Sequence, residues 1–480
     1  MHIDKLLDGV DFLGNTELDF DRISSDSRRL EGKNILFFAY NGSNFDSHPL
    51  AVELYKSGKI RYIVSERVLE NTPSILVENG RQAFCTASAN FFGNPQKELT
   101  LMGVTGTNGK TTVTYLLEKI FEKNGVARIG TNGVNIMGSK LCIDNTTPSP
   151  YDFFKLLRQA ADRGIKAAAA EVSSHALEQG RLAGVNFNAA VFTNLTGDHL
   201  DYHKDMQSYY NAKKLLFTDL YSQKRIINRD CPHGERLFKE IGGEKYSYGS
   251  SKECDLFVKK VNFTFDGTAA VLSYRGESFN IKTSLLGAHN LENIMAALTT
   301  SFALGVPIKQ AVRSAESLTA VRGRLERYNN NGITAFVDYA HTDDALRRIT
   351  FALKNLSAGR LITVFGAGGD RDKSKRPRMG RAAEENSDVS VVTSDNPRTE
   401  PPELIIDDIL GGMQKTKQVF VKEDREEAIR FAVSIAKKGD CILVAGKGHE
   451  DYQIIGTTKR RFSDSEVVKK YLFNGVSNGS

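Results

Sequence analysis

The run Gly103-Val104-Thr105-Gly106-Thr107-Asn108-Gly109-Lys110-Thr111-Thr112 holds the residue types that bind a polyphosphate. Glycines let backbone N–H groups approach an anion, a lysine supplies charge, and a threonine hydroxyl can hold a divalent cation. The pattern G-x-x-x-x-G-K-[ST] is met except at its first position, where Val104 replaces glycine. The predicted chemistry is binding of ATP or a related nucleotide. Downstream, Glu171 follows the small residues Ala167–Ala170 and offers a carboxylate that could reach Mg²⁺ directly or through water. Asp198, His199, Asp201 and His203 crowd one short stretch, which by itself is either a metal site or a polar loop. Ser173-Ser174-His175 invites a nucleophile reading, but adjacent residues of a strand point to opposite faces, so no hydrolytic triad is expected.

These residues need rigid elements behind them. Leu99-Thr100-Leu101-Met102 reads as a buried strand leading into the glycine loop. Val113, Leu116, Leu117, Ile120 and Phe121 recur at helical spacing after the loop, and that helix should end before Gly125. Short apolar runs alternate with helical patterns almost throughout, which predicts α/β domains with largely parallel sheets. Strands are expected at Asn34–Ala39, Ile60–Ser65, Ser74–Val77, Ala167–Val172, Ala189–Asn194, Thr334–Val337, Arg360–Phe365, Val389–Thr393 and Cys441–Ala445. Leu256–Thr283 alternates with period two and predicts an antiparallel excursion turning at Asp266-Gly267. Three domains are expected, over 1–97, 98–321 and 322–480, with Phe92–Gln96 as the first linker. Glu171, Asn194–Asp198, Asp338, Gly366–Asp370, Asp395 and Gly446–Glu450 all fall just after predicted strands, where open parallel sheets bind ligands. A cleft shared between domains follows.

Bulk properties narrow the function class. A chain of 480 residues is too long for one core. Its 64 basic and 58 acidic residues leave a net charge of only +6, without basic blocks interleaved with aromatics, so nucleic acid is excluded as the expected partner. The five cysteines, Cys85, Cys142, Cys231, Cys254 and Cys441, are scattered and form no C-x-x-C, which argues for a reduced, cytoplasmic setting and against zinc. Asp4 and Asp8 interrupt the apolar N-terminus, so no signal peptide is read there, and no run is long enough to span a membrane. The tail Asn474–Ser480 is expected to fray.

Thr105–Thr112, Glu171–His175, Asp198–His203 and Ala212-Lys213, in this order and at these intervals, resemble the Mur ligases, ATP-dependent amino-acid-adding enzymes of peptidoglycan precursor synthesis. The resemblance continues through Gly287–Asn293, Gly323–Glu326, Val337–Thr342, Gly369–Lys373, Asp395–Arg398 and Gly446–Glu450, and so spans nearly the whole chain. Asn145–Pro148 and the last three motifs look most like the ligase that adds the third residue of the stem peptide. The resemblance implies an N-terminal α/β uridine-nucleotide-binding domain, a central P-loop ATPase-like domain and a C-terminal Rossmann-like domain, working as a monomer.

It also implies roles. Lys110, Glu171, His199 and Lys213 match catalytic positions. Gly106, Thr107, Asn108, Gly109, Lys110, Thr111, Thr112, Asn293, Arg324 and Asp338 match the ATP site. Thr111 (with Thr112 beside it), Glu171, His199 and Lys213 match a Mg²⁺ site in which the lysine is carbamylated, since a carbamate turns a repelled ammonium into a metal ligand. Ser27, Arg28, Asn145, Thr146, Thr147, Ser173, Gln179 and Arg181 match contacts to UDP-N-acetylmuramoyl-L-alanyl-D-glutamate, and the loop Asn41–His48 matches a region holding the uridine diphosphate. Arg371, Asp395, Asn396, Arg398, Gly446 and Glu450 match contacts to meso-diaminopimelate, with Arg398 suited to its distal carboxylate and Glu450 to its distal ammonium. Asp343, where proline is usual, should only shift a helix start. Pro401-Pro402, where an acidic residue is usual, bears on the geometry around Arg398. Alternative acceptors are meso-lanthionine and L-lysine. A folylpolyglutamate synthase is disfavoured by Asp395–Arg398 and by the N-terminal domain, and a nucleotide switch leaves the outer motifs unexplained.

Overall fold

The computed structural model of the protein describes residues 1–474 except 16, 43, 44, 142, 144 and 320. Cys142, part of the Asn41–His48 loop and the tail beyond Asn474 therefore lie outside the described residues.

Three sheets follow one another along the chain. The first contains β1 (Phe12–Leu13), β2 (Arg22–Ser24), β3 (Ile35–Ala39), β4 (Tyr62–Ser65) and β5 (Ser74–Val77), in the order β1-β5-β4-β3-β2 and parallel except at β1. The second contains β6 (Thr100–Thr105), β7 (Val126–Gly130), β8 (Gly133–Ile136), β9 (Ser139–Leu141), β10 (Ala167–Glu171), β11 (Phe187–Phe192), β12 (Ser222–Asn228), β13 (Glu244–Gly249), β14 (Leu256–Thr264), β15 (Gly267–Tyr274) and β16 (Glu277–Thr283). Its order is β16-β15-β14-β13-β12-β11-β6-β10-β7-β8-β9, with a parallel centre and antiparallel meanders at both ends. The third contains β17 (Glu326–Asn330), β18 (Ile333–Asp338), β19 (Leu361–Phe365), β20 (Val389–Val392), β21 (Gln418–Val421) and β22 (Cys441–Ala445), in the order β17-β18-β22-β19-β20-β21. A separate hairpin pairs β23 (Tyr452–Ile455) with β24 (Thr458–Arg461).

Both larger sheets are covered on both faces, as parallel sheets require. In β10, Ala168 and Ala170 enter one core layer while Ala167 and Ala169 enter the other. β22 alternates likewise, with Cys441, Leu443 and Ala445 on one side and Ile442 and Val444 on the other. Val113, Leu116, Leu117, Ile120 and Phe121, the expected apolar stripe of the helix Lys110–Ile120, are all buried in the second layer of the central sheet. Each such side chain contributes roughly 1.5–3 kcal/mol by leaving water.

Three expectations need correction. The phosphate-loop strand does not stop at Met102: Gly103 and Val104 pair with Ala170 and Glu171 on one side and with Ala190 and Val191 on the other. Val104 is wholly buried there, so valine occupies that position because it is still core strand. The 256–283 excursion turns at Asp266 as expected and again at Arg275-Gly276, giving three strands. Ser174–Glu178 is a short helix capped by Ser173 rather than strand, so the opposite-face argument does not apply to it. Asp343 opens the helix Asp343–Leu356, whose N-cap Thr342 accepts from Ala345 N.

Candidate active site

Between β6 and the helix Lys110–Ile120, the loop Gly106–Gly109 turns through Gly109 at φ +89°, where a Cβ would strike Asn293 Oδ1. That helix begins with no side-chain cap, which leaves first-turn N–H groups for an anion. Lys110 Nζ donates to Gly106 O at 2.8 Å and Thr107 O at 2.9 Å, curling over the loop. The loop is pinned from β11's far end: Asn194 O accepts from Thr107 N and Asn194 Oδ1 from Asn108 N, both at 2.9 Å. Thr111 Oγ1 accepts from Arg324 Nη2 at 3.2 Å, a bond between the central and C-terminal sheets' segments. Asp338 receives Leu325 N and Ala340 N, both at 2.7 Å. Asn108, Gly109, Thr112, Asn293, Arg324 and Asp338 line one cavity of about 60 Å³, adjoining Lys110 and Thr111. Of the residues lining it, Asn108 Nδ2 and Arg324 Nε are buried without a partner, as polar atoms awaiting a ligand would be.

Glu171 closes β10 beside the loop; its Oε1 accepts from Thr131 N at 3.0 Å and its Oε2 from Thr131 Oγ1 at 3.1 Å. His199, at φ +55°, sets Nε2 3.5 Å from Asp198 Oδ2. Desolvation lowers its pKa, and His175, Lys110 and Lys213 add to this against the pull of Asp198, so the ring is neutral. Lys213 is buried on the helix Met206–Lys214 and donates to Gly106 O at 3.2 Å, the same oxygen Lys110 uses. Desolvation, then Lys110, hold it well below the usual lysine range. Among the described residues no three His, Cys, Asp or Glu side chains form a metal cage. The set nonetheless offers a carboxylate, a neutral imidazole and a hydroxyl, donors a hard cation accepts when phosphate oxygens complete its shell.

The N-terminal sheet faces a cavity of about 1170 Å³, lined by Ser27, Arg28, Asn145, Gln179 and Arg181 together with Arg22, Arg81 and Tyr40. Thr146, Thr147 and Ser173 lie outside that lining. Thr147 Oγ1 donates to Glu171 O at 2.8 Å and accepts from Ser173 N at 2.9 Å, tying the loop to β10. Thr146 Oγ1 is 3.0 Å from Thr131 Oγ1. Arg181 Nη1 donates to Thr147 O at 3.1 Å, which links the cavity wall to this knot.

On the third sheet, Asn396 Nδ2 donates to Glu450 Oε2 at 2.9 Å, and Gly446, at φ +121°, lets Asp395 close against the loop after β22. Arg398, at φ +54°, donates from Nη1 to Gly369 O at 2.6 Å, with Pro402 opening the next helix. Arg371 is exposed. The hairpin β23–β24 grips the motif from behind: Gln453 Nε2 donates to Asp395 O, Ile454 N to Asn396 Oδ1, Arg398 N to Ile454 O and Gly456 N to Arg398 O, all at 2.7–3.1 Å.

Sequence reasoning pointed to several of these residues but not to their partners. Asp198 is buried and meets Lys375 at 3.5 Å and His341 at 3.8 Å, both from the C-terminal segment. Burial alone would raise its pKa, but Lys375, His199 and His341 hold the carboxyl well below its ordinary range. Its crowding with His199 was the available signal. Tyr209 stacks on His203, places its ring 4.6 Å from Lys213 Nζ and sets its hydroxyl 3.3 Å from Thr107 Oγ1. Ser174 Oγ meets His203 Nε2 at 2.8 Å, not His175, and with Ser174 only 2% exposed the pair is a buried strut.

A family model described as the Mur ligase middle domain matches residues 104–301, and one described as Mur ligase, glutamate ligase domain, matches 323–448. The UDP-N-acetylmuramoyl-L-alanyl-D-glutamate--2,6-diaminopimelate ligase of Aquifex aeolicus (strain VF5) is 42% identical, across 92% of this chain and 91% of its own. The protein of the same name from Geobacter metallireducens (strain ATCC 53774 / DSM 7210 / GS-15) is 41% identical, across 95% and 94%. A solved structure of a UDP-N-acetylmuramoyl-L-alanyl-D-glutamate--2,6-diaminopimelate ligase is 30% identical, with a TM-score of 0.71 and 99% of each chain covered. Similarity at this level across all three sheets, with the phosphate loop in place, leaves one assignment: the chain belongs to the Mur ligase family.

Proposed function

We infer that this chain is an ATP-dependent ligase that joins 2,6-diaminopimelate to UDP-N-acetylmuramoyl-L-alanyl-D-glutamate in peptidoglycan precursor synthesis. The observation that carries the reading is the convergence of three sites: the arginine-rich N-terminal cavity, the phosphate loop and the Asp395–Glu450 cluster, with Arg324 and Lys375 bonded across to Thr111 and Asp198. The substrate carboxylate attacks the γ-phosphorus of ATP and ADP leaves. The acceptor amine then adds to the acyl phosphate, and the C–O bond to phosphate breaks as the amide forms. The barrier is charge crowding and orientation, which suits Lys110 and Arg324 against phosphates and requires no protein nucleophile. Thr111, Glu171, His199 and carbamylated Lys213 would hold Mg²⁺, which when bound neutralises phosphate charge. Ser27, Arg28, Asn145 and Arg181 would bind the uridine-sugar peptide, and Arg371, Arg398 and Glu450 the acceptor's distal end. The reading places the enzyme in the cytosol, a reducing setting that suits the four described cysteines, which are free and buried. Among the described residues no helix is long and apolar enough to cross a membrane.

Phosphate release measured with meso-diaminopimelate, meso-lanthionine and L-lysine in parallel tests the reading. Release should require both the nucleotide-linked dipeptide and an amino acid, with diaminopimelate the most efficient. Release indifferent to both substrates would mark a nucleotide switch instead.

A further inference from the structure

Lys447 follows β22, and its side chain reaches no solvent. Its Nζ lies 2.9 Å from Asn396 Oδ1, 3.3 Å from Glu450 Oε2 and 3.5 Å from Asp395 Oδ1. Behind Asp395, Arg425 is also wholly buried, fastened to Asp464 by two bonds of 2.8 Å and donating to Ala445 O at 2.9 Å. Lys447 and Arg425 thus face three carboxylates, those of Asp395, Glu450 and Asp464. Burial pushes the Tyr339 and Tyr452 hydroxyls up and lowers His341, while Lys459 lies over the ring of Tyr452 at 3.6 Å. Arg398 is turned to Gly369 O, and Arg324 lies over the Tyr339 ring. Among the described residues Asp395 and Glu450 share one ion-pair partner, Lys447, while Arg425 is taken up by Asp464, so the pair of carboxylates is one cation short. Burial first, then Asp395, raises Glu450, as expected of a carboxylate short of positive charge.

We propose that Lys447 is a specificity-determining positioning residue: it packs Asp395, Asn396 and Glu450 into one cluster whose leftover negative charge selects an acceptor with a second ammonium group. Without Lys447, Asp395 and Glu450 would repel across a buried gap. Glu450 would then take up a proton or swing away, and the recognition of the distal amine would go with it. The proposal rests on the ligase reading above.

The test compares acceptors, not overall rate. Wild-type enzyme should use meso-diaminopimelate roughly 100-fold or more better, in kcat/KM, than 2-aminopimelate, which lacks the distal amine. Lys447→Met should shrink that ratio to within about fivefold by raising the KM for diaminopimelate, with the KM for ATP held within about twofold. Lys447→Gln, which keeps a donor toward Asn396, carries the same comparison if the Met variant folds poorly. Lys447→Arg should restore most of the ratio. A folded neutral variant that loses rate equally with both acceptors, leaving the ratio where it was, overturns the proposal while the ligase reading stands. Wild-type enzyme that releases phosphate with no diamino acid overturns both.

Discussion

Lys213→Ala probes the charge pattern around the phosphate loop. Lys110 Nζ and Lys213 Nζ lie 2.8 and 3.2 Å from one oxygen, Gly106 O, so two ammonium groups would crowd one carbonyl. At roughly 5 Å and an effective dielectric of ~20, two unit charges repel by about 3 kcal/mol. Burial and this repulsion push the Lys213 ammonium toward the neutral amine, the form that adds CO₂. A carbamate reverses the sign and turns that repulsion into an attraction of about the same size. Losing the anion should then cost about two decades in rate. The assay is phosphate release dependent on the acceptor. Lys213→Ala is expected to fall ~100-fold or more and to recover partly with added formate or acetate, while Lys213→Arg, which cannot be carbamylated, stays inactive. Enzyme equilibrated with ¹³C-bicarbonate should show a carbamate resonance absent from both variants. Activity of Lys213→Ala within about threefold of wild type, or an active Lys213→Arg, would refute the reasoning.

Gly109→Ala should weaken nucleotide binding by roughly ten- to a hundredfold without loss of secondary structure, because the new Cβ meets Asn293 Oδ1 at a left-handed φ; isothermal titration with ADP checks this. Asp464→Asn leaves the wholly buried Arg425 unpaired and should lower stability by about 3–5 kcal/mol, read as a drop in denaturant midpoint; a loss under about 1 kcal/mol would count against it. The Glu400 carboxyl is held at about 2 by its hydrogen bonds from Arg376, against a usual 4.5. The folded state binds that proton less readily than the unfolded chain. Its stabilisation is therefore full above about pH 4.5 and fades as pH falls toward 2, and Glu400→Gln should flatten the acid limb of stability in that window.

Much of the fold was legible because burial writes itself into sequence. β5 and β22 sit where their apolar runs predict, and the helix after the phosphate loop buries the expected stripe. Strands whose side chains stay in water left no such mark. β24, Thr-Lys-Arg-Arg, is exposed throughout, and β17, Glu-Arg-Tyr-Asn-Asn, buries only Tyr328; both are held by ladder bonds to a neighbour. The candidate site was legible as motifs, since phosphate and acceptor chemistry demand particular residue types close together in the chain. Its long-range partners were not. Nothing local in Asp395 announces Gln453, and nothing in Asp198 announces Lys375, because those meetings join segments far apart in the chain, the second of them across two different sheets' segments.

The hairpin β23–β24 has a practical consequence for altering what the enzyme accepts. Its backbone and Gln453 supply four hydrogen bonds to the Asp395–Arg398 segment, including both partners of the Arg398 peptide. The recognition motif is thus half of a two-piece part whose other half is encoded well downstream. A graft of the four motif residues from a relative with another acceptor would import side chains without the scaffold that aims them. A transplant joining Asp395–Arg398 with Gly446–Arg461 would carry the whole part, and acceptor choice should travel with it.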